Sequence, residues 1–80
     1  MDDNIKKRIS KIMSIVFEIS EDDITEESSI DNIEGWDSLK HMNLIVALEE
    51  EFEVRFEDND MIDMVNFKII YVVVKAQFKS

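Results

Sequence analysis

No proline occurs among the 80 residues of this chain, and glycine occurs once, at Gly35. Those two residues punctuate turns, so a sandwich or barrel of many short strands, which needs a turn every few residues, is out of reach. Cysteine is absent too, which removes disulfide and thiolate-metal scaffolds. Stability has to come from packed helices. Eighty residues suffice for a single domain over 1–80 with one modest core, and not for a cleft walled by two lobes. The longest strongly apolar runs, 44–48 and 69–74, fall far short of the roughly 20 residues that cross a bilayer. The N-terminus lacks the apolar stretch of a signal peptide, so a cytoplasmic location is expected.

Charge narrows the class of partner. The formal net charge is −10, and it is unevenly spread. Between positions 18 and 63 there are seventeen acids against two bases, Lys40 and Arg55, giving −15; the two ends carry two acids and seven bases, giving +5. An anionic middle repels nucleic acid and anionic membrane, and it attracts basic protein surfaces in a salt-sensitive way. A solvated acidic surface that keeps a small protein soluble accounts for the same charge.

Periodicity places the helices. Asp2, Asp3 or Asn4 can cap a first helix whose face is Ile5, Ile9, Ile12, Met13 and Val16. The pattern stops near Ser20, and a polar connection of sixteen residues, SEDDITEESSIDNIEG, follows. That is long for a compact domain, and its isolated Ile24, Ile30 and Ile33 are candidates to pin it. The Ser20-to-Asp23 spacing loosely resembles a capping box, consistent with a short helical turn there. A second helix is expected from 37 or 38 to about 53, with Leu39, Met42, Ile45, Leu48 and Phe52 as its core stripe. Asp58 or Asp60 can cap a short third segment carrying Met61, Met64 and Val65. Asn66 can cap a last helix from 67 to about 78. FKIIYVVVKAQF favours a strand by propensity. Yet Phe67, Ile70, Tyr71, Val74 and Phe78 share a helical face, and Lys68, Lys75 and Lys79 are spaced by seven and four. The expected architecture is all-α: a small four-helix bundle with a long first loop and a short third helix. Met13, Met42, Met61 and Met64 are placed inside it, as gap-fillers or as a repackable lining for an apolar guest.

Ser38 is the residue that calls for chemistry. At the start of the second helix either Asp37 or Ser38 can cap, so with Asp37 in place the hydroxyl of Ser38 is left over. The positive end of a helix dipole and its free amides favour a phosphate there. Gly35 gives the preceding turn its backbone freedom. Other groupings are weaker. Ser38 and His41 sit three apart on one helix, but neither an acid to orient the imidazole nor an oxyanion site is evident, and His41 reads as a surface or boundary residue. Asp58, Asp60 and Asp63 lack the glycine and distal glutamate of a calcium loop, and capping charges explain them better. No metal site is expected. Trp36 can stack on a partner or cover the isoleucines of the loop.

The stretch GWDSLKHMNLIVALEEEFEVRFED, at 35–58, resembles the centre of the acyl carrier protein family, whose signature is Asp-Ser-Leu at the start of a long helix followed by an apolar stretch and LEEEF. The order of elements, from the amphipathic first helix through the acidic DDITEESSI loop to the apolar last helix, extends the likeness over essentially the whole chain. The resemblance implies a carrier rather than an enzyme. It implies 4′-phosphopantetheine attached to Ser38, with Asp37 as the flanking residue of the motif, donated from coenzyme A by a separate magnesium-dependent phosphopantetheinyl transferase. The thiol of that arm would hold cargo as a thioester, which fits a chain without cysteine.

The same resemblance assigns Asp37, Leu39, Val46, Glu49 and Glu50 to a face that meets acyl-loading and acyl-transferring enzymes through their basic patches. Lys40 and Asn43 stand where fatty-acid carriers commonly have an acid, so the docking face is less negative than usual. A free-standing monomeric acyl carrier is the reading. An aminoacyl or peptidyl carrier and an unmodified acidic interaction module are the alternatives.

Overall fold

The computed structural model describes residues 2–78, apart from the side chains of Asp2 and Asp3. Among the described residues four α-helices follow in order: α1 (Asp2–Phe17), α2 (Ser38–Phe52), α3 (Asp58–Asp63) and α4 (Phe67–Gln77). A single 3-10 turn, Glu21–Asp23, lies in the first connection. The all-α bundle with its long first loop and short third helix is therefore as expected. Asn4 lies within α1 rather than capping it; the proposed capping side chains of Asp2 and Asp3, and Lys79, fall outside the described residues.

Side-chain caps set most boundaries. Ser20 accepts the Asp22 amide through Oγ and opens the 3-10 turn. Asn66 Oδ1 accepts the Ile69 amide at 2.8 Å and opens α4. That cap and the burial of Phe67, Ile70 and Val74 on one face outweigh the strand propensity of the segment. At α3 the expectation shifts by a residue: Glu57 precedes the helix, and Asp60, inside it, reaches back to accept the Glu57 amide.

The helix ends have a less usual feature. Glu18, after α1, has φ 58°, and Glu53, after α2, has φ 55°. In each case the following amide closes the helix by reaching five residues back, Ile19 to the Ser14 carbonyl and Val54 to the Glu49 carbonyl, both at 3.1 Å. This is the Schellman arrangement, whose left-handed residue is normally glycine. The apolar residue that follows, Ile19 or Val54, packs against the core and locks the reversal.

The core is built from Ile9, Ile12, Met13 and Phe17 of α1, Leu44, Ile45, Leu48 and Phe52 of α2, and Phe67, Ile70 and Val74 of α4, joined by Ile24, Ile33, Trp36, Phe56 and Met64 from the connections. Three expected core positions are overturned. Leu39 is 69% exposed, Met42 50% and Ile30 43%. For α2 the reason is geometric: steps of three residues lag the helical turn by about 60° each, so Leu39 and Leu48, nine residues apart, face opposite ways. Leu44 takes the buried place that the sequence stripe gave to Leu39 and Met42.

The long connection is pinned by hydrogen bonds as well as by Ile24 and Ile33. Phe67 N–H donates to the Ser28 carbonyl at 2.9 Å and Ile30 N–H to the Val65 carbonyl at 3.0 Å. A one-residue antiparallel bridge joins Ser29 to Asn66 between them. Ser28 is buried, and its Oγ accepts the Thr25 amide at 2.9 Å. These bonds hold the loop against the start of α4, with its far end at the start of α2.

Candidate functional site

Gly35 has φ 89°, a conformation that costs an L-residue strain and glycine almost nothing. A side-chain Cβ there would meet no atom within 4 Å, so backbone conformation alone selects glycine. The turn it makes sends Trp36 inward and Ser38 outward. Trp36 is buried against Phe17, with ring centroids 4.8 Å apart. The indole belongs to the same buried cluster as Ile24 and Ile33 of the loop and is not exposed for stacking on a partner.

Asp37 is the cap of α2. Its backbone is extended, its Oδ1 accepts the Lys40 amide at 2.8 Å, and its carbonyl accepts the His41 amide at 2.8 Å. Ser38, the first helical residue, is exposed. Among the described residues its hydroxyl makes no hydrogen bond, and the amides of Ser38 and Leu39 are likewise unpaired, as expected for the first turn of a helix. Serine at this position is therefore not a cap. A phosphate ester on Oγ would sit beside free N–H donors at the positive end of a fifteen-residue helix, without displacing any bond the serine makes. The residues present fit a phosphate-linked group.

His41 does not face Ser38. Trp36 Nε1–H donates to His41 Nδ1 at 3.1 Å, and His41 Nε2 lies 2.7 Å from the Met61 carbonyl in α3. Both ring nitrogens are engaged, so the geometry supports no serine-histidine pair. This half-buried clamp was not legible beforehand; the five-residue separation of Trp36 and His41 is the only sequence signal that carries it, and Met61 gives none. Lys40, the departure from an acidic pattern, is paired with Glu18 at 3.2 Å across the α1 terminus. Asp58, Asp60 and Asp63 belong to α3, and among the described residues no three acidic or imidazole groups gather to hold a metal ion.

The outer face of α2 starts at Ser38 and carries Leu39, Met42 and Val46, the last 48% exposed, at spacings of three and four. Glu50 is exposed at the lower end of this face. Glu49 is half-buried, and its Oε2 accepts the Phe56 amide at 2.9 Å, so one oxygen is committed to the chain leaving α2. Below Val46 a shallow open groove is lined by Glu49, Glu50, Glu53, Val54 and Arg55. No helix among the described residues is long and apolar enough to cross a membrane.

Comparison with known proteins gives this geometry a family. Residues 7–67 match the model of the phosphopantetheine attachment site family. The chain is also similar to a holo acyl carrier protein from Geobacter metallireducens, known from its solution structure. The identity is 30%, the match covers 90% of this chain and 83% of that one, and the TM-score is 0.80. The family is non-catalytic, and its cofactor is covalently attached 4′-phosphopantetheine. With a helix start that fits a phosphate ester and a match running through most of its length, the chain belongs to the acyl carrier protein family.

Proposed function

We propose that Ser38 is the attachment residue, that the protein carries acyl cargo as a thioester, and that it hands this cargo to separate enzymes docking on the outer face of α2. The observation that carries the reading is the division of labour at the helix start. Asp37 performs the capping, and Ser38 is left exposed with an uncommitted hydroxyl. In the transfer from coenzyme A, Ser38 Oγ loses its proton to the transferase and bonds to phosphorus, as the bond from that phosphorus to the nucleotide half breaks. The bound arm supplies the thiol that the chain lacks. Gly35 and Asp37 fix the direction of Oγ, and the bundle stays a rigid base.

Docking follows from the same helix. Leu39, Met42 and Val46 offer an apolar strip that the core does not use, and Asp37, Glu49 and Glu50 add carboxylates along it. Exposed ion pairs are each worth about 1 kcal/mol or less, so such a face favours fast and reversible encounters with basic partner surfaces. The protein acts as one monomeric domain in the cytoplasm, visiting a phosphopantetheinyl transferase and then the enzymes that load and unload the arm. Lys40, drawn to Glu18, and the neutral Asn43 reduce negative charge near Ser38 and favour partners other than standard fatty-acid synthase enzymes. They also keep an aminoacyl carrier in view, which loading by an amino-acid adenylating ligase would reveal.

Incubation with coenzyme A and a broad-range phosphopantetheinyl transferase tests the proposal by intact mass. The wild type is expected to gain one arm and Ser38→Ala none. A folded wild type that gains no mass refutes the reading, and so does a Ser38→Ala variant that still gains it.

A further inference from the structure

We propose that His41 is a positioning residue for the transfer of phosphopantetheine to Ser38, acting through Trp36 and Met61; this rests on Ser38 being the attachment residue. The hydrogen bonds define its state. Nδ1 accepts the indole N–H at 3.1 Å, so in a neutral ring the proton is on Nε2, which donates to the Met61 carbonyl at 2.7 Å. The other tautomer would set two donors against each other at Trp36 and two acceptors at Met61. One imidazole thus satisfies two groups for which no other partner is found among the described residues. A buried indole N–H needs an acceptor. A carbonyl in the last four residues of a helix has no partner within it, and the six-residue α3 is short enough for Met61 to be one of these.

These bonds enclose the site. Trp36 lies two residues before Ser38 and is wedged over Phe17; His41 lies three residues after it on α2. The two rings are nearly parallel, with an interplanar angle of 24° and centroids 6.1 Å apart. The backbone from 36 to 41 is therefore closed into a loop, with the capped turn and Ser38 at its outer edge and α3 fastened to its inner side. A transferase has to receive Oγ in one geometry. A turn already held in that geometry binds without first being ordered, and a turn that wanders binds in proportion to its competent fraction.

The predicted signature is a rise in KM for the carrier with little change in kcat. Transfer from coenzyme A is followed by intact mass over a range of carrier concentrations for wild type, His41→Phe and His41→Gln. Phenylalanine keeps a ring and loses both bonds; glutamine offers an acceptor and a donor in one amide. His41→Phe is expected to raise KM at least about threefold with kcat within about twofold, and His41→Gln to move back toward wild type. Nitrogen-15 spectra of the neutral ring, recorded on unmodified protein, are expected to show the Nε2–H tautomer. Circular dichroism checks folding, and if His41→Phe does not fold, Trp36→Phe takes its place, since it removes the donor and keeps an aromatic ring. A folded His41→Phe or Trp36→Phe variant with wild-type KM overturns the proposal, as does an Nδ1–H tautomer. A wild type with the Nε2–H tautomer that gains no mass refutes the Ser38 reading instead, so the two failures are separate.

Discussion

Replacing Glu53 by glycine is expected to stabilise the fold, and the size of the gain follows from the way α2 ends. Glu53 has φ 55° and ψ 50°, close to the ideal left-handed helix, and is followed by Val54, whose amide closes the turn on the Glu49 carbonyl. An L-residue in that conformation is disfavoured by about 1–2 kcal/mol. Glycine escapes this but loses about 0.5–1 kcal/mol more chain entropy on folding, leaving a net gain of about 0.75 kcal/mol at the middle of both ranges. A charge contribution adds to it. Glu53 puts a carboxylate at the negative end of the α2 dipole, one turn after Glu49, and removing it contributes about 0.3–1 kcal/mol more at low salt. Glu53→Ala separates the two effects, because it deletes the charge and retains the Cβ.

Thermal unfolding by far-UV circular dichroism then has a definite ordering. In a domain of this size about 1 kcal/mol moves Tm by about 4–8 °C. Glu53→Gly should exceed Glu53→Ala by about 3–6 °C, and Glu53→Ala should exceed wild type by about 1–8 °C at low salt, a step that shrinks in high salt. Glycine no better than alanine would refute the claim that left-handed geometry limits stability here. Glu18, the equivalent residue after α1, is a less clean test because it also pairs with Lys40 at 3.2 Å.

Two further expectations use the same assay. Asp37→Ala should cost about 1 kcal/mol through loss of the bond to the Lys40 amide, and Ser38→Ala should stay within about 0.5 kcal/mol of wild type, because its hydroxyl holds nothing; the reverse ranking would make Ser38 the cap. Leu48→Ala, deep in the core, should cost about 2–5 kcal/mol, whereas Leu39→Ala should change stability by less than about 0.5 kcal/mol and instead raise the KM of partner enzymes; equal losses of stability would return Leu39 to the core.

The α2 leucines show why the sequence was legible only in part. A helix rich in apolar residues on more than one side has more than one stripe that looks like a core, and nothing local says which one meets α1 and α4. Leu39, Met42, Ile45, Leu48 and Phe52 made an acceptable series by spacing, but its two ends face opposite sides. Helix α4 was clearer. Its apolar residues and lysines fall at a common helical spacing, and Asn66 marked its start. The connection was harder, because residues 28–30 meet residues 65–67 through backbone atoms, which carry no sequence signature. At the site, Gly35 and Asp37 were readable since each residue type answers a backbone demand, and Ser38 because Asp37 leaves its hydroxyl without one. His41 was not: its role depends on where α3 comes to rest.

The exposed strip on α2 then takes on a different meaning from a stray apolar surface. The core is complete without Leu39, Met42 and Val46: the buried residues of α2 are Leu44, Ile45, Leu48 and Phe52, on the other side of the helix. Single exposed apolar residues need no explanation, but three at helical spacing, running directly from an uncommitted hydroxyl, form a continuous surface. One helix then has two faces, to which the proposed function gives separate duties. On the proposed function, the inner face fixes the axis along which Ser38 projects, and the outer face is the handhold of a partner enzyme, measured from that same serine. The sequence contains no cysteine to compete with a thiol attached there, so on that proposal reactivity is confined to whatever Oγ bears. A partner that gripped the outer face would thereby set its distance to that one point, and the proposed role would need no catalytic pocket in the fold.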